Sequence, residues 1–245
     1  DPDGITHIVV ASCTGFVAPG VDQIVARRLG LRPSVERLLV GYMGCYAAVV
    51  ALRSARHIVR SAPDARVLVV TVELCSLHLH EMHEVEALLA GLQFGDGAAA
   101  ALVTGAPRGL AIDAPFAMTL PESDTLIRWD ITDQGFAMHL SGEVPSRIGT
   151  ALAEPEARAA IVNGGVDQWA VHAGGRSILD AVENALQLPP DSLDDSRAVL
   201  RDFGNMSSST LMFVLARMMN RPVEQGVAIA FGPGLAAEGF RFRAA

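Results

Sequence analysis

Apolar residues along this chain fall into short β-branched runs separated by longer segments whose apolar positions recur every three to four residues. That alternation predicts strands and helices in turn. Ile5 to Ala11 reads as a buried strand, and Gly20 to Leu29 as a helix closed by Gly30 at its C-terminal end. Val35 to Tyr42 predicts a second strand. Cys45 to Ser61 predicts a helix with Val49, Leu52 and Ile58 on its apolar face and Arg53, Arg56 and Arg60 elsewhere. Ala65 to Leu74 is the clearest strand, and a short helix leads to Phe94-Gly95-Asp96-Gly97 and the small-residue strand Ala98 to Val103. Strands alternating with helices imply an α/β chain with sheets covered on both faces.

A second half begins near Gly105-Ala106-Pro107, dividing the chain into 1–105 and 106–245. Ile127 to Thr132 and Phe136 to Ser141 alternate around Asp133-Gln134-Gly135 and predict a hairpin. A helical region runs on to Val162, a strand is expected at Gln168 to Val171 and a helix from Arg176 to Leu186. Two helices flank Gly204-Asn205, and Val227 to Phe231 and Phe240 to Arg243 read as the last strands. The two halves echo each other faintly: a strand then Ser12-Cys13-Thr14-Gly15, and a strand then His172-Ala173-Gly174-Gly175. No low-complexity linker separates them, so they are expected to pack as one body.

Composition narrows the chemistry. The 245 residues are 50% hydrophobic and 19% charged, too apolar for a disordered chain. The formal charge is −8, and all 19 cations are arginine. Without lysine there is no P-loop and no Schiff base, and an acidic chain is a poor partner for nucleic acid. The longest uncharged apolar stretch, Leu38 to Leu52, falls short of the roughly 20 residues that span a bilayer. Cys13, Cys45 and Cys75 are odd in number and far apart, which suits reduced thiols in the cytoplasm. Two motifs mislead. His78-Leu79-His80-Glu81-Met82-His83-Glu84 resembles a metal site, but Glu84 stands where a zincin needs histidine, so no metal is expected. Gly232-Pro233-Gly234-Leu235-Ala236-Ala237 satisfies a dinucleotide fingerprint without the further helix, strand and acidic residue that such a fold requires.

Three residues stand out. Cys45 lies between a strand and the first turn of a helix, where free N–H groups and the helix dipole favour a thiolate; a buried structural cysteine is the alternative. His172 ends a strand before Ala-Gly-Gly, either projecting at a sheet end or sitting as a satisfied core histidine. Asn205 lies between helices, where asparagine is also an ordinary turn residue and Ser207 a natural N-cap. A cysteine, histidine, asparagine order is one recognised arrangement for thiol nucleophiles.

These residues sit in five motifs: Gly44-Cys45-Tyr46-Ala47, Phe94-Gly95-Asp96-Gly97, Trp169 to Gly175, Gly204-Asn205-Met206-Ser207-Ser208 and Phe231-Gly232-Pro233-Gly234-Leu235. Together they resemble the type III polyketide synthases, the chalcone-synthase-like family, and Ser12 to Phe16, Glu73 to Leu77 and Arg128-Trp129-Asp130 resemble its bacterial members. The resemblance implies a thiolase-like layered αβαβα fold whose N-terminal half is incomplete here, roughly the first third of a typical member being absent. It implies a cytoplasmic homodimeric acyltransferase that condenses malonyl-CoA units onto an acyl-CoA starter with no further cofactor. Cys45 takes the nucleophile's place, His172 and Asn205 those of the catalytic histidine and asparagine. Phe94 falls on one gatekeeper position and Met138 on the other. Cys13, Cys75, Trp129, Phe136 and Ser207 fall on positions that shape the cavity, and Gly174, Arg176 and Ser177 on the CoA side. Ala18 falls where some members reach into the partner's site. Two other expectations stand beside this one: a ketoacyl-acyl-carrier-protein synthase III-like enzyme, against which the Gly-Asn-Met-Ser-Ser and Phe-Gly-Pro-Gly-Leu runs speak, and an inactive fragment or binding module of the same fold.

Overall fold

The computed structural model describes residues 1–79, 81, 85–133, 135–162 and 164–245. In chain order the elements are β1 (His7–Ser12), α1 (Val21–Arg28), β2 (Glu36–Gly41), α2 (Ala47–Ser61), β3 (Val67–Glu73), α3 (Val85–Gln93), β4 (Gly97–Val103) and β5 (Leu110–Thr119). They continue with β6 (Ile127–Thr132), β7 (Gly135–Leu140), α4 (Val144–Ala153), α5 (Pro155–Val162), β8 (Gln168–Val171), α6 (Arg176–Leu186), α7 (Asp194–Phe203), α8 (Ser208–Met218), β9 (Gly226–Gly232) and β10 (Ala236–Ala244).

Period-two patterning builds the layers. On β1, Ile8 and Val10 face Ala26 of α1 and Leu31 just beyond it, while Val9 and Ala11 face α2 and α8. On β9, Ala228 and Ala230 face that same central helix layer, while Val227, Ile229 and Phe231 face α4 and α6. Alternate side chains of each sheet therefore serve two helix layers, and the result is five layers, α-β-α-β-α. The first sheet has the order β2-β1-β3-β4 and the second β5-β10-β9-β8. In each, parallel strands end on one antiparallel neighbour: β4 on β3, and β10 on β9.

The sequence pattern missed β5, because Pro115 interrupts it. Among the described residues β5 is an edge strand paired to β10 alone, where a missing N–H removes no ladder bond. The register slips between Gly239 and Arg241, opposite Ala114 (φ 34°) and Pro115, so the strand carries its proline in a bulge. β10 begins at Ala236 rather than Phe240, so the Gly-Pro-Gly run leads into a strand and not a helix. Gly30 closes α1 as read: it adopts φ 68°, and its N–H and that of Leu31 bond Arg27 O and Ala26 O. The helical region after the hairpin is two helices, α4 and α5.

Candidate active site

The nucleophile candidate sits at a tight corner. After β2 the chain turns through Tyr42 (φ 57°) and Gly44 (φ 70°) into a 3₁₀ turn, Gly44–Tyr46, and only then enters α2. Cys45 is thus one turn ahead of the α-helix that the sequence placed it in. Glycine is required at 44 twice over: by its positive φ, and because a Cβ there would lie 2.2 Å from Pro233 Cδ. The Gly44 N–H donates to the Cys13 sulfur at 2.9 Å.

The other two candidates come from the second half. His172 follows β8, and its backbone N–H donates to Ile229 O at 2.8 Å. Asn205 follows Gly204 (φ 74°), which lets the chain leave α7 for α8. Its Oδ1 accepts the Ser207 N–H at 2.9 Å and its Nδ2 donates to Gly174 O at 3.1 Å, so the amide orientation is fixed at both ends. Ser207 takes the N-cap position of α8 without a capping side-chain bond, at φ 49°. Its hydroxyl is close enough to Cys45 to favour the thiolate, and Thr210 Oγ1 accepts the Met206 N–H at 2.8 Å. Holding a non-glycine residue there is a strain of the kind found where a site over-determines its backbone.

Cys45, His172 and Asn205 line one cavity of about 410 Å³, together with Phe94, Met138 and Gln93. Gly174 and Ser177 line it too, whereas Arg176 is exposed at the start of α6. Cys13, Cys75, Trp129, Phe136 and Ser207 do not line this cavity; they gather behind the Cys45 turn. The Trp129 indole reaches, with its Cη2, within 3.4 Å of the place a Gly44 Cβ would take. Phe136 lies tilted against His78, ring centroids 5.0 Å apart, and edge-on to Tyr42 at 6.4 Å. Cys75 opens the 3₁₀ turn Cys75–His78, held by Asp96, whose carboxylate accepts the Ser76 N–H at 2.8 Å and its hydroxyl at 2.6 Å.

Burial dominates the electrostatics. It pushes the Cys45 thiol up to about 12, against the hydrogen bond from Ser207, which pulls the other way. The helix-terminus effect expected from the sequence is therefore outweighed. Burial also lowers His172 to about 4, which keeps the ring neutral near pH 7. Neither ring nitrogen of His172, only 2% exposed, has a hydrogen-bond partner among the described residues. An imidazole with no protein partner is open to a ligand or water in the cavity. Cys13 and Cys75 are likewise raised by burial, Cys75 to about 12.

Two polar groups escaped the sequence reasoning. Glu73 is fully buried, its carboxylate accepting Cys13 N–H and Thr14 Oγ1–H at 3.0 Å each and the Ser208 hydroxyl. Burial raises its pKa. Gln93, the last residue of α3, donates to Gly174 O at 2.5 Å. The signal for it was a lone amide ending a largely apolar helix, directly before Phe94. Of the metal-like run, His80 and Met82 to Glu84 lie outside the described residues; His78 Nε2 is 2.7 Å from Thr14 O. No group of three potential ligands able to hold a metal occurs among the described residues.

The five layers, with a cysteine from one half and a histidine and asparagine from the other around a single cavity, form a thiolase-like fold. The chain belongs to the chalcone and stilbene synthase family: residues 2–107 match the family's N-terminal domain and residues 112–245 its C-terminal domain. It is 35% identical over 252 residues to the alpha-pyrone synthesis polyketide synthase-like Pks18 of Mycobacterium tuberculosis, covering 96% of this chain and 64% of that protein. It is 33% identical to type III polyketide synthase A of Arabidopsis thaliana, covering 98% of this chain and 66% of that one. The chain thus spans about two thirds of the length of these curated relatives. Among solved structures, PKS-I from the brown alga Ectocarpus siliculosus superposes with a TM-score of 0.94 at 35% identity, over 100% of this chain and 70% of that one.

Proposed function

We propose that this chain carries the reaction centre of a type III polyketide synthase, which condenses malonyl-CoA units onto an acyl-CoA starter. The observation that carries the proposal is His172: a buried, neutral imidazole with neither nitrogen bonded to a described residue, lining the cavity that Cys45 and Asn205 also line.

In loading, Cys45 passes its proton to His172 and its sulfur attacks the starter thioester. Each charge alone is disfavoured by burial, but transfer within the pair leaves the site's net charge unchanged. The acyl group moves to Cys45, and the departing CoA thiolate takes the proton back from His172. Malonyl-CoA then loses CO₂, and the electron pair of the broken C–C bond becomes an enolate. The His172 N–H and the second Asn205 Nδ2–H stabilise its oxygen, an oxyanion role often worth about 3 kcal/mol per donor. The depressed His172 pKa suits this step, which needs a neutral N–H donor rather than a titrating base. The enolate carbon attacks the Cys45 thioester, the sulfur leaves, and the lengthened β-ketoacyl chain remains on CoA for another round. No proton is taken from carbon, so no separate strong base is needed.

Gly174 and Ser177 at the cavity, with the exposed Arg176 beside them, would meet the CoA moiety. Phe94 and Met138 would bound the growing chain. An apolar surface formed by Phe16 (85% exposed), Tyr42, Leu77 and Leu79 supports a homodimer. Among the described residues, no helix is long and apolar enough to cross a membrane. Turnover of malonyl-CoA measured against malonyl-carrier protein tests the proposal: product from malonyl-CoA with an acyl-CoA starter is expected, and turnover only with the carrier protein refutes it.

A further inference from the structure

The loop after β8 carries His172 and then, past the buried Ala173, two glycines. Neither ring nitrogen of His172 is tied to a described residue. The Gly174 N–H closes a tight turn on His172 O at 2.9 Å. Its carbonyl oxygen receives two side-chain amides from two other elements: Asn205 Nδ2 at 3.1 Å, from the α7–α8 turn, and Gln93 Nε2 at 2.5 Å, from the end of α3. Both lone pairs of that oxygen are thereby engaged. The fit is tight, since a Cβ at Gly175 would lie 2.7 Å from Gln93 Nε2. Two positions further along the same segment, the Gly95 N–H donates to Asn205 O at 2.8 Å. Residues 93–95 therefore strap both donor-bearing loops, Gln93 the histidine loop and Gly95 the asparagine turn.

Asn205 has one Nδ2 hydrogen on Gly174 O and its Oδ1 on Ser207 N–H, which leaves its second Nδ2 hydrogen for the cavity. Where that hydrogen points depends on where Gly174 O is held. We infer that Gln93 is a positioning residue of this site: by gripping Gly174 O it holds the Asn205 amide and the His172 loop in register, so that both donors aim at one oxygen. Gln93 acts through Gly174 and not on the reacting atoms. Without its amide, a loop containing two adjacent glycines is free to pivot, and small displacements of preorganised donors lower rate more than binding.

The inference rests on the proposed synthase reading, and the test separates the two. CO₂ release from malonyl-CoA is measured in the intact protein for wild type, Gln93→Leu and Gln93→Glu, with rates normalised to titratable Cys45. Leucine keeps the bulk without the donor, and a carboxylate facing Gly174 O repels it. The expected result is a kcat lowered roughly tenfold in Gln93→Leu and further in Gln93→Glu, with KM for malonyl-CoA within about twofold of wild type and the thermal midpoint preserved. Wild-type kcat in Gln93→Leu, a rise in KM alone, or a loss that vanishes on normalisation would each overturn the role of Gln93. An active wild type with an equally active Gln93→Leu leaves the synthase reading standing; an inactive wild type removes that reading and the inference with it.

Discussion

β4 and β10 occupy equivalent places in the two sheets, each the antiparallel strand after a parallel one, yet their surroundings differ. β10 lies between β9 and β5, and Ala237 through Phe240 and Phe242 are buried. β4 pairs only with β3 among the described residues, and its Ala98, Ala100 and Leu102 are exposed while their neighbours are half-buried. The side chains follow: β10 packs Phe240 and Phe242 into the central helix layer, whereas the middle of β4 is alanine. α2 adds to the difference, reaching across from the first half with Arg53 on Glu238 and Arg56 on Ile112 O at 2.9 Å. Within this chain equal topology goes with unequal burial, because the neighbours a strand has on each side decide how much apolar surface it covers.

The same division runs through the site, where the first half gives Cys45 and the second His172 and Asn205. Replacing Cys45 with alanine is expected to lower product formation by roughly 10⁴-fold or more, while CO₂ release from malonyl-CoA continues on the donors of the second half. Equal loss of both activities would break that division of labour. Next in size is Phe242→Ala, which opens a hole in the central layer and is expected to lower unfolding free energy by about 3–5 kcal/mol in denaturant titrations. With His172→Ala, Cys45 keeps the burial that pushes its thiol up to about 12 but loses its proton acceptor. Modification by iodoacetamide at pH 7 should fall roughly 100-fold and rise about tenfold per pH unit up to pH 9. The sign follows from a raised pKa: the thiolate is scarce below it and grows as pH climbs. A plateau already at pH 7 in this variant would show that another group sustains the thiolate. The smallest effect belongs to β4: Leu102→Ala, at a side chain 47% exposed, should cost under about 1 kcal/mol. A cost matching that of Phe242→Ala would mean that β4 is covered as β10 is.

Much of this could be read from residues alone, because strong signals are local. Val67 to Val72 could be little but a strand, and Gly30 or Gly204 could be placed by the backbone conformations they allow. The five motifs likewise located Cys45, His172 and Asn205 without coordinates. What escaped was set by neighbours distant in sequence. A proline hid β5, since only pairing with β10 on one side makes Pro115 tolerable there. The protonation of Cys45 depends on how deeply second-half residues enclose it, which no local rule about helix termini contains. Gln93 gains its meaning only where α3 meets Gly174, and Ser207 stands at the head of α8 without a capping side-chain bond.

The corner at Gly44 has a bearing on inheritance. A Cβ at 44 would collide with Pro233, and one at 232 would lie 2.7 Å from the Tyr46 ring and 3.2 Å from Cys45 N. The Cys45 turn and the turn between β9 and β10 are therefore cast against each other, although they sit near opposite ends of the chain. Neither can drift alone. A hybrid gene joining the first half of one family member to the second half of another would keep the corner cysteine in place only where both parents retain glycine before that cysteine and Gly-Pro after β9.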